Sequence, residues 1–128
     1  MVLLSDICDF LSCEVYTARE QLPRIPIQFG CASDLMSDVL AFSRSGAVLL
    51  TGLVTIQTIQ TAFIAEISAV VFVRGKKPSE EVIALAREKH VPVLATPYSM
   101  YEACGLLYGK GLPSTMDRVV TATDQDRA

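Results

Sequence analysis

Apolar residues along this chain fall into two kinds of pattern, continuous runs and helix-spaced stripes. Continuous runs occupy residues 47–50, 69–73 and 91–94. A run without polar alternation is typical of a strand covered on both faces, as in a parallel sheet. Two further short strands are predicted at residues 14–16 and 27–29. The sequence therefore predicts a sheet whose central strands are buried.

Between these runs, apolar residues recur at intervals of three or four, which places them along one side of a helix. One such stripe is formed by Ile56, Ile59, Phe63 and Ile67. Other helices are predicted at residues 2–11, at 35–42, after Pro78 and Ser79, and at 98–108. Ser33 or Asp34 is expected to cap the helix at 35–42, and Thr96 the last helix, because a short side-chain oxygen accepts from a free first-turn amide.

Strands that alternate with helices predict βαβ units with right-handed crossovers. We therefore expect an α/β fold of three layers, a mostly parallel sheet with helices on both faces. Residues 1–112 are predicted to form this domain. From residue 113 to 128 the sequence turns polar, which predicts a flexible C-terminal tail.

In an open α/β sheet, ligands bind outside the carboxyl ends of the strands, where helix N-termini offer free amides to an anion. Four predicted junctions place small or polar residues there, which makes them candidate ligand-binding residues. Each of them alone is also explained as a helix cap or a turn residue. The candidates are Ser33, Asp34, Thr51, Gly52, Arg74, Gly75, Thr96 and Tyr98.

Charge and hydropathy narrow the classes of partner. The net charge is -3, and the densest basic cluster, Arg74 with Lys76 and Lys77, is too small for a duplex-binding stripe, so nucleic acid is not expected. The most apolar stretch, residues 47–73, is interrupted by Thr, Gln, Gly and Glu, so no membrane span is expected. Without a signal-peptide pattern, the chain is predicted to be cytoplasmic.

Residues that carry catalysis or bind metals do not form a recognised set. The four cysteines contain no Cys-x-x-Cys pair, and the single histidine, His90, is predicted on the amino-terminal side of the sheet. Asp34 and Asp38 share a helix face, but two carboxylates alone make a poor cation site. Neither a phosphate loop nor a nucleophile elbow is present. We expect no enzyme activity, no metal and no cofactor.

An ordered series of segments carries a resemblance to a known family. The series is ASDLMSDVL at 32–40, LLTGL at 49–53, QTA at 60–62, VFVRGK at 71–76, Pro78, and ATPYSMYEACGLLY at 95–108. It resembles the stand-alone DRTGG-domain proteins of bacteria, a family similar to the non-catalytic N-terminal domain of HPr kinase and to the DRTGG domain of phosphotransacetylases. The resemblance covers residues 2–112 and implies a regulatory or dimerising α/β module.

The chain departs from the family at its namesake Asp-Arg-Thr-Gly-Gly string, because Leu53 and Val54 stand where the Asp-Arg pair would follow the strand. The favoured hypothesis is a homodimeric regulatory or interaction module that senses a small anion, a nucleotide or a phosphorylated metabolite, at the strand ends. The alternative is an accessory subunit that docks on a hydrogenase-type redox enzyme without a small-molecule ligand, a role in redox or energy metabolism that the resemblance implies.

Overall fold

Residues 1–116 are described by a computed structural model in which strands and helices alternate along the chain. The strands are β1 (Val2–Leu3), β2 (Glu14–Val15), β3 (Pro26–Ile27), β4 (Phe29–Ala32), β5 (Ala47–Thr51), β6 (Ala69–Phe72) and β7 (Val93–Ala95). The helices are α1 (Leu4–Phe10), α2 (Met36–Phe42), α3 (Ile56–Ile64), α4 (Glu80–Glu88) and α5 (Met100–Gly109), with a 3-10 helix at Arg19–Arg24.

Five strands form one sheet in the order β2-β7-β6-β5-β4. The strands β4, β5, β6 and β7 run parallel, and β2 pairs antiparallel with β7 through Glu14 opposite Ala95. Every residue of β5, β6 and β7 is buried, which explains why these strands have continuous apolar runs. The mostly parallel sheet is the one predicted.

Helices cover both faces of the sheet, so the predicted three-layer α/β architecture is confirmed. On one face, α1 and α5 pack side chains such as Leu4 and Leu107 against Val48 and Val71. On the other face, α2, α3 and α4 contribute residues to a second core. That core includes Met36, Val39, Ile59, Ala62, Val82 and Ala86, packed with Leu49, Val70 and Phe72.

Two short strands near the N-terminus differ from the sequence prediction. The helix predicted from residue 2 begins at Leu4, because Val2 and Leu3 pair antiparallel with Ile27 and Pro26. The strand predicted at 27–29 is divided between two sheets, since β3 joins β1 and β4 joins the main sheet. Strands of two residues have no measurable periodicity, so the hydrophobic pattern does not reveal them.

The last described residues return to the outer edge of β4. Gly30 donates its amide to the Pro113 carbonyl at 2.8 Å, and its carbonyl accepts from Thr115 at 3.2 Å. Ser114 thereby forms a parallel bridge to Gly30. The rest of the predicted flexible tail, residues 117–128, lies outside the described residues. Within residues 1–116, no helix is long and apolar enough to cross a bilayer.

Candidate functional site

The carboxyl ends of the parallel strands meet at one edge of the sheet, and the candidate residues follow them there. Ser33 and Asp34 come after β4, Thr51 ends β5 and precedes Gly52, and Arg74 lies two residues beyond β6. Thr96 directly follows β7. The strand register therefore brings residues that are far apart in the sequence to a common edge, as expected for a doubly wound sheet.

Asp34 connects the first two of these junctions. Its Oδ1 accepts a hydrogen bond from Thr51 Oγ1 at 3.0 Å and another from the Gly52 amide at 2.6 Å. The expectation that Asp34 or Ser33 caps α2 is wrong, because the N-cap residue of α2 is Leu35, whose side chain accepts no hydrogen bond from the first turn. Ser33 Oγ instead accepts from the Leu35 amide at 3.0 Å, which closes a local turn.

Gly52 lies at the centre of the site because cationic side chains approach its backbone closely. A Cβ at Gly52 would lie 2.9 Å from Arg74 Nη2 and 3.5 Å from Asp34 Oδ1. The Lys76 ammonium donates to the Gly52 carbonyl at 2.8 Å. Position 52 therefore needs a residue without a side chain if Arg74 is to keep this position.

The turn after β6 holds Arg74 and Gly75 in the left-handed region, with φ of 62° and 67°. Two hydrogen bonds tie this turn to the loop after β7. Arg74 donates its amide to the Tyr98 carbonyl at 2.7 Å, and Gly75 donates to the Thr96 carbonyl at 2.9 Å. The backbone of Tyr98 therefore supports the site, while its half-buried side chain packs against the core on the α1 and α5 face.

Thr96 has a structural role that the sequence prediction assigned differently. Its fully buried hydroxyl donates to the Leu11 carbonyl at 2.5 Å and accepts from the Tyr98 amide at 3.3 Å. The expectation that Thr96 caps the last helix is wrong, since α5 begins at Met100 and Ser99 caps it through the Glu102 amide. Both hydrogen-bonding functions of the Thr96 hydroxyl are thus used within the chain.

A small cavity of about 170 Å³ lies beside Gly75 and Thr96. Among its lining residues, the polar side chains of Ser12, Glu14 and Lys77 are absent from the sequence-based candidates. Ser12 and Glu14 reach this edge because β2 is antiparallel and its first residue lies opposite the last residue of β7. The sequence carries no signal for that register. Lys77 belongs to the basic cluster that the sequence did single out.

The eight candidates therefore divide into three groups. The first group lies around Gly52 and contains Asp34, Thr51, Gly52 and Arg74. The second group is the small cavity with its supporting loop: Gly75 and Thr96 line the cavity, and Tyr98 contributes its backbone. The third group is a single residue. Ser33 lines a separate depression of about 240 Å³, with Asp38 and Phe42 on its wall.

A larger cavity, of about 480 Å³, lies beside β2 and the carboxyl end of α4, away from the candidate residues. Arg19, Arg87 and His90 line it. His90 follows α4 and precedes β7, which places it on the amino-terminal side of the sheet. This cavity is a useful comparison for a ligand experiment, because Arg19 and Arg87 give it positively charged donors of its own.

A sequence profile of the DRTGG domain matches residues 6–108. The chain belongs to the DRTGG-domain family. Among curated protein sequences, no relative matches this DRTGG domain.

A solved structure similar to this DRTGG domain comes from the regulatory region of a pyrophosphatase. It contains the CBS and DRTGG domains of the regulatory region of Clostridium perfringens pyrophosphatase, complexed with the activator diadenosine tetraphosphate. The TM-score is 0.65 at 21% sequence identity, over 93% of this chain and 53% of the other. The chain thus spans about half of that structure's length, and the similarity establishes the shared fold.

The departure from the family string has a structural counterpart in this DRTGG domain. Leu53 and Val54, in place of a charged pair, are half-buried and pack against the core that contains α2, α3 and α4. Leu53 donates its amide to Thr51 Oγ1 at 3.1 Å, and its carbonyl accepts from Thr58 at 2.6 Å. The positive charge at this edge comes from the turn after β6 instead.

The cysteines of this DRTGG domain are poorly suited to nucleophilic chemistry. Burial, with a smaller contribution from Cys8, raises the pKa of Cys13 to about 12. Burial is also the main cause of the raised pKa of Cys31 and of Cys104. Such thiols stay protonated at neutral pH, and the thiolate is the reactive form. Within residues 1–116, no three His, Cys, Asp or Glu residues are grouped as metal ligands.

Proposed function

We propose that this chain is a non-catalytic regulatory module, a homodimer that binds a small anionic ligand, a nucleotide or a phosphorylated metabolite, at the carboxyl ends of the parallel strands. The observation that carries the proposal is the convergence of Arg74 and Lys76 on Gly52. Arg74 is exposed, and its Nη2 lies 2.9 Å from the point where a Cβ on Gly52 would stand. The Lys76 ammonium donates to the carbonyl of the same glycine. A guanidinium beside an ammonium is a common phosphate-binding combination.

Asp34 fixes the backbone beside which Arg74 and Lys76 lie. Its carboxylate is satisfied by Thr51 and by the Gly52 amide, so it holds the β5 turn in place beneath Arg74. The basic side chains Arg74, Lys76 and Lys77 are all exposed and follow one another within a single turn. An incoming anion therefore meets the positive charges of Arg74 and Lys76 on a backbone that hydrogen bonds already hold in place, which lowers the cost of ordering the site.

The likeness to a regulatory region supports a sensing role for this DRTGG domain. That region of the pyrophosphatase is complexed with a nucleotide activator, diadenosine tetraphosphate. The observed match is confined to a DRTGG domain, a type of module found in a regulatory region. No observation among the described residues specifically favours docking on a hydrogenase-type enzyme, and we propose ligand sensing in its place.

Calorimetric titration with diadenosine tetraphosphate and with ATP tests the ligand-binding part. We expect saturable binding that Arg74→Gln weakens by roughly tenfold, the loss of one charge-assisted contact. Arg24→Gln removes the same charge from an exposed position in the 3-10 helix and leaves affinity unchanged. Amide shift mapping by NMR places the ligand, with the expected changes at residues 51–53, 74–77 and 96–98.

Two results would overturn this proposal. One is the absence of binding, together with no rise in the thermal unfolding midpoint at millimolar nucleotide, since a ligand of the native state must stabilise it. The other is binding whose amide shifts cluster around Arg19, Arg87 and His90, which would assign the ligand to the larger cavity.

A further inference from the structure

The outer face of α5 is apolar, unlike that of α4. In α4 the exposed positions include Glu80, Glu81, Arg87 and Glu88, whereas the ten residues of α5 include a single charged residue, Glu102. Tyr101 is 89% exposed and Tyr108 is 71% exposed. A helix that is apolar on both sides is normally covered on both sides, and the core covers only the inner side of α5.

Two glycines lie between and beside these tyrosines, at positions where the described chain does not need them. A Cβ built on Gly105 or on Gly109 meets no atom within 4 Å, and neither residue has a positive φ. Glycine lowers helix propensity relative to alanine at such positions. The missing side chains therefore leave room on the outside of α5, where a second helix can approach closely.

Residues at four-residue spacing form three rows along α5 and the turn that follows it, and in the row nearest β4 only Tyr108 is exposed. The middle row is Tyr101, Gly105 and Gly109. The row on the α1 side is Glu102, Leu106 and Lys110, and the Lys110 ammonium lies 4.9 Å from the Phe10 ring centroid. The row on the β4 side is Cys104, Tyr108 and Leu112, which line an apolar cavity of about 350 Å³ between α5 and β4.

We propose that a second copy of this chain docks on this face, with the two α5 helices antiparallel and crossing at Gly105; this inference rests on the homodimer of the proposed function and names its surface. In a two-fold contact, residue i touches residue j and j touches i. Tyr101 and Tyr108 lie four residues before and three residues after Gly105. An antiparallel pair therefore brings the protruding Tyr101 of each copy to Tyr108 of the other, at the mouth of the apolar cavity.

Charge supports the antiparallel direction. Glu102 begins the row on the α1 side and Lys110 ends it, both exposed. Antiparallel helices place Glu102 of one copy near Lys110 of the other, within about 3 Å along the helix axis at a rise of about 1.5 Å per residue. In a parallel two-fold pair the two α1-side rows would lie on opposite sides of the contact, so Glu102 of one copy would not meet Lys110 of the other. The charges of this row are therefore paired only in the antiparallel direction.

Sedimentation equilibrium of the full chain tests this surface with two sets of variants. Gly105→Leu fills the crossing point, and Ala84→Leu makes a matched change at an exposed position of α4. We expect Gly105→Leu to raise the dimer dissociation constant by roughly tenfold or more, while Ala84→Leu leaves it unchanged. Far-ultraviolet circular dichroism should show both variants folded, because nothing in the described chain meets the new Cβ at position 105.

Charge reversal tests the direction of packing. Glu102→Lys alone should weaken the dimer, and adding Lys110→Glu should restore it, because the pair is then reversed as a whole. A monomeric wild-type chain at micromolar concentration would overturn both this surface and the homodimer, and would leave α5 open to a different protein. If the dimer dissociation constants of Gly105→Leu and Glu102→Lys equal that of Ala84→Leu, the α5 surface is overturned and the homodimer of the proposed function stands.

Discussion

At the scale of single residues, several non-glycine residues adopt a left-handed backbone conformation that glycine would adopt more easily. Ser12, Glu66 and His90 have φ of 50°, 56° and 57°, each shortly after a helix end. In each case the amide of the following residue donates to a carbonyl in the last turn of the helix. After Glu66, for example, the Ile67 amide donates to the Ala62 carbonyl at 2.9 Å. This is the common C-terminal closing turn, in which the left-handed residue is usually glycine.

Glu66→Gly should therefore stabilise the fold. A non-glycine residue in the left-handed region costs about 1–2 kcal/mol, and glycine's greater freedom in the unfolded chain offsets part of the gain, which leaves a net increase of roughly 0.5–1 kcal/mol. Urea denaturation measures the free energy of unfolding. As the matched control, Ala84→Gly in α4 should lower it by about 1 kcal/mol. Equal losses in both variants would contradict this account of position 66.

The buried thiol of Cys13 makes stability depend on pH in the alkaline range. Its pKa is raised from 9.0 to about 12, chiefly by burial. The unfolded chain releases this proton first, so the stabilisation is complete below pH 9 and is lost as pH rises through 9 toward 12. Cys13→Ala should flatten the fall of the urea midpoint over this range, whereas Ser12→Ala should leave its slope as in the wild type. An unchanged slope in Cys13→Ala would assign the fall to other groups.

At the scale of elements, helix starts show how far sequence reasoning reached. The helix α4 begins directly after Ser79, as the Pro78–Ser79 pair predicted, and Ser79 caps it by accepting from the Val82 amide. The predicted caps at Asp34 and Thr96 failed because both side chains bond to distant partners. Thr96 reaches the carbonyl of Leu11, which is 85 residues away in the sequence. A local pattern identifies a residue able to cap a helix, but a long-range partner decides whether it does.

Ser79→Ala should lower the free energy of unfolding by about 1 kcal/mol, because it leaves a first-turn amide of α4 without its acceptor. Ser37→Ala, on the exposed side of α2, is the control and should change stability by less than about 0.5 kcal/mol. Chemical denaturation of both variants under one set of conditions measures the difference. Two equal values would show that the Ser79 hydrogen bond makes no net contribution.

At the scale of the whole molecule, the hydrophobic pattern was enough to predict the three-layer fold. Continuous runs correctly indicated β5, β6 and β7, and with them a parallel sheet whose carboxyl ends form one edge. The pattern predicted that edge but not the residues that β2 contributes to it. Glu14 lies opposite Ala95 through an antiparallel register that no periodicity encodes. The pattern also named Arg74 and Gly52 without showing that the Arg74 guanidinium fills the space where a side chain at position 52 would stand.

The return of residues 113–115 to β4 protects the chain against aggregation through its edge strand. An uncovered edge strand offers a row of free amides and carbonyls to any other chain, which is a common route to aggregation. Here the Pro113 carbonyl accepts from the Gly30 amide, and the Thr115 amide donates to the Gly30 carbonyl. Both outward-facing backbone groups of Gly30 are thus paired, and Thr115 is buried. A chain cut after Leu112 would keep every helix and strand of the sheet, yet it would open this edge to β-type aggregation.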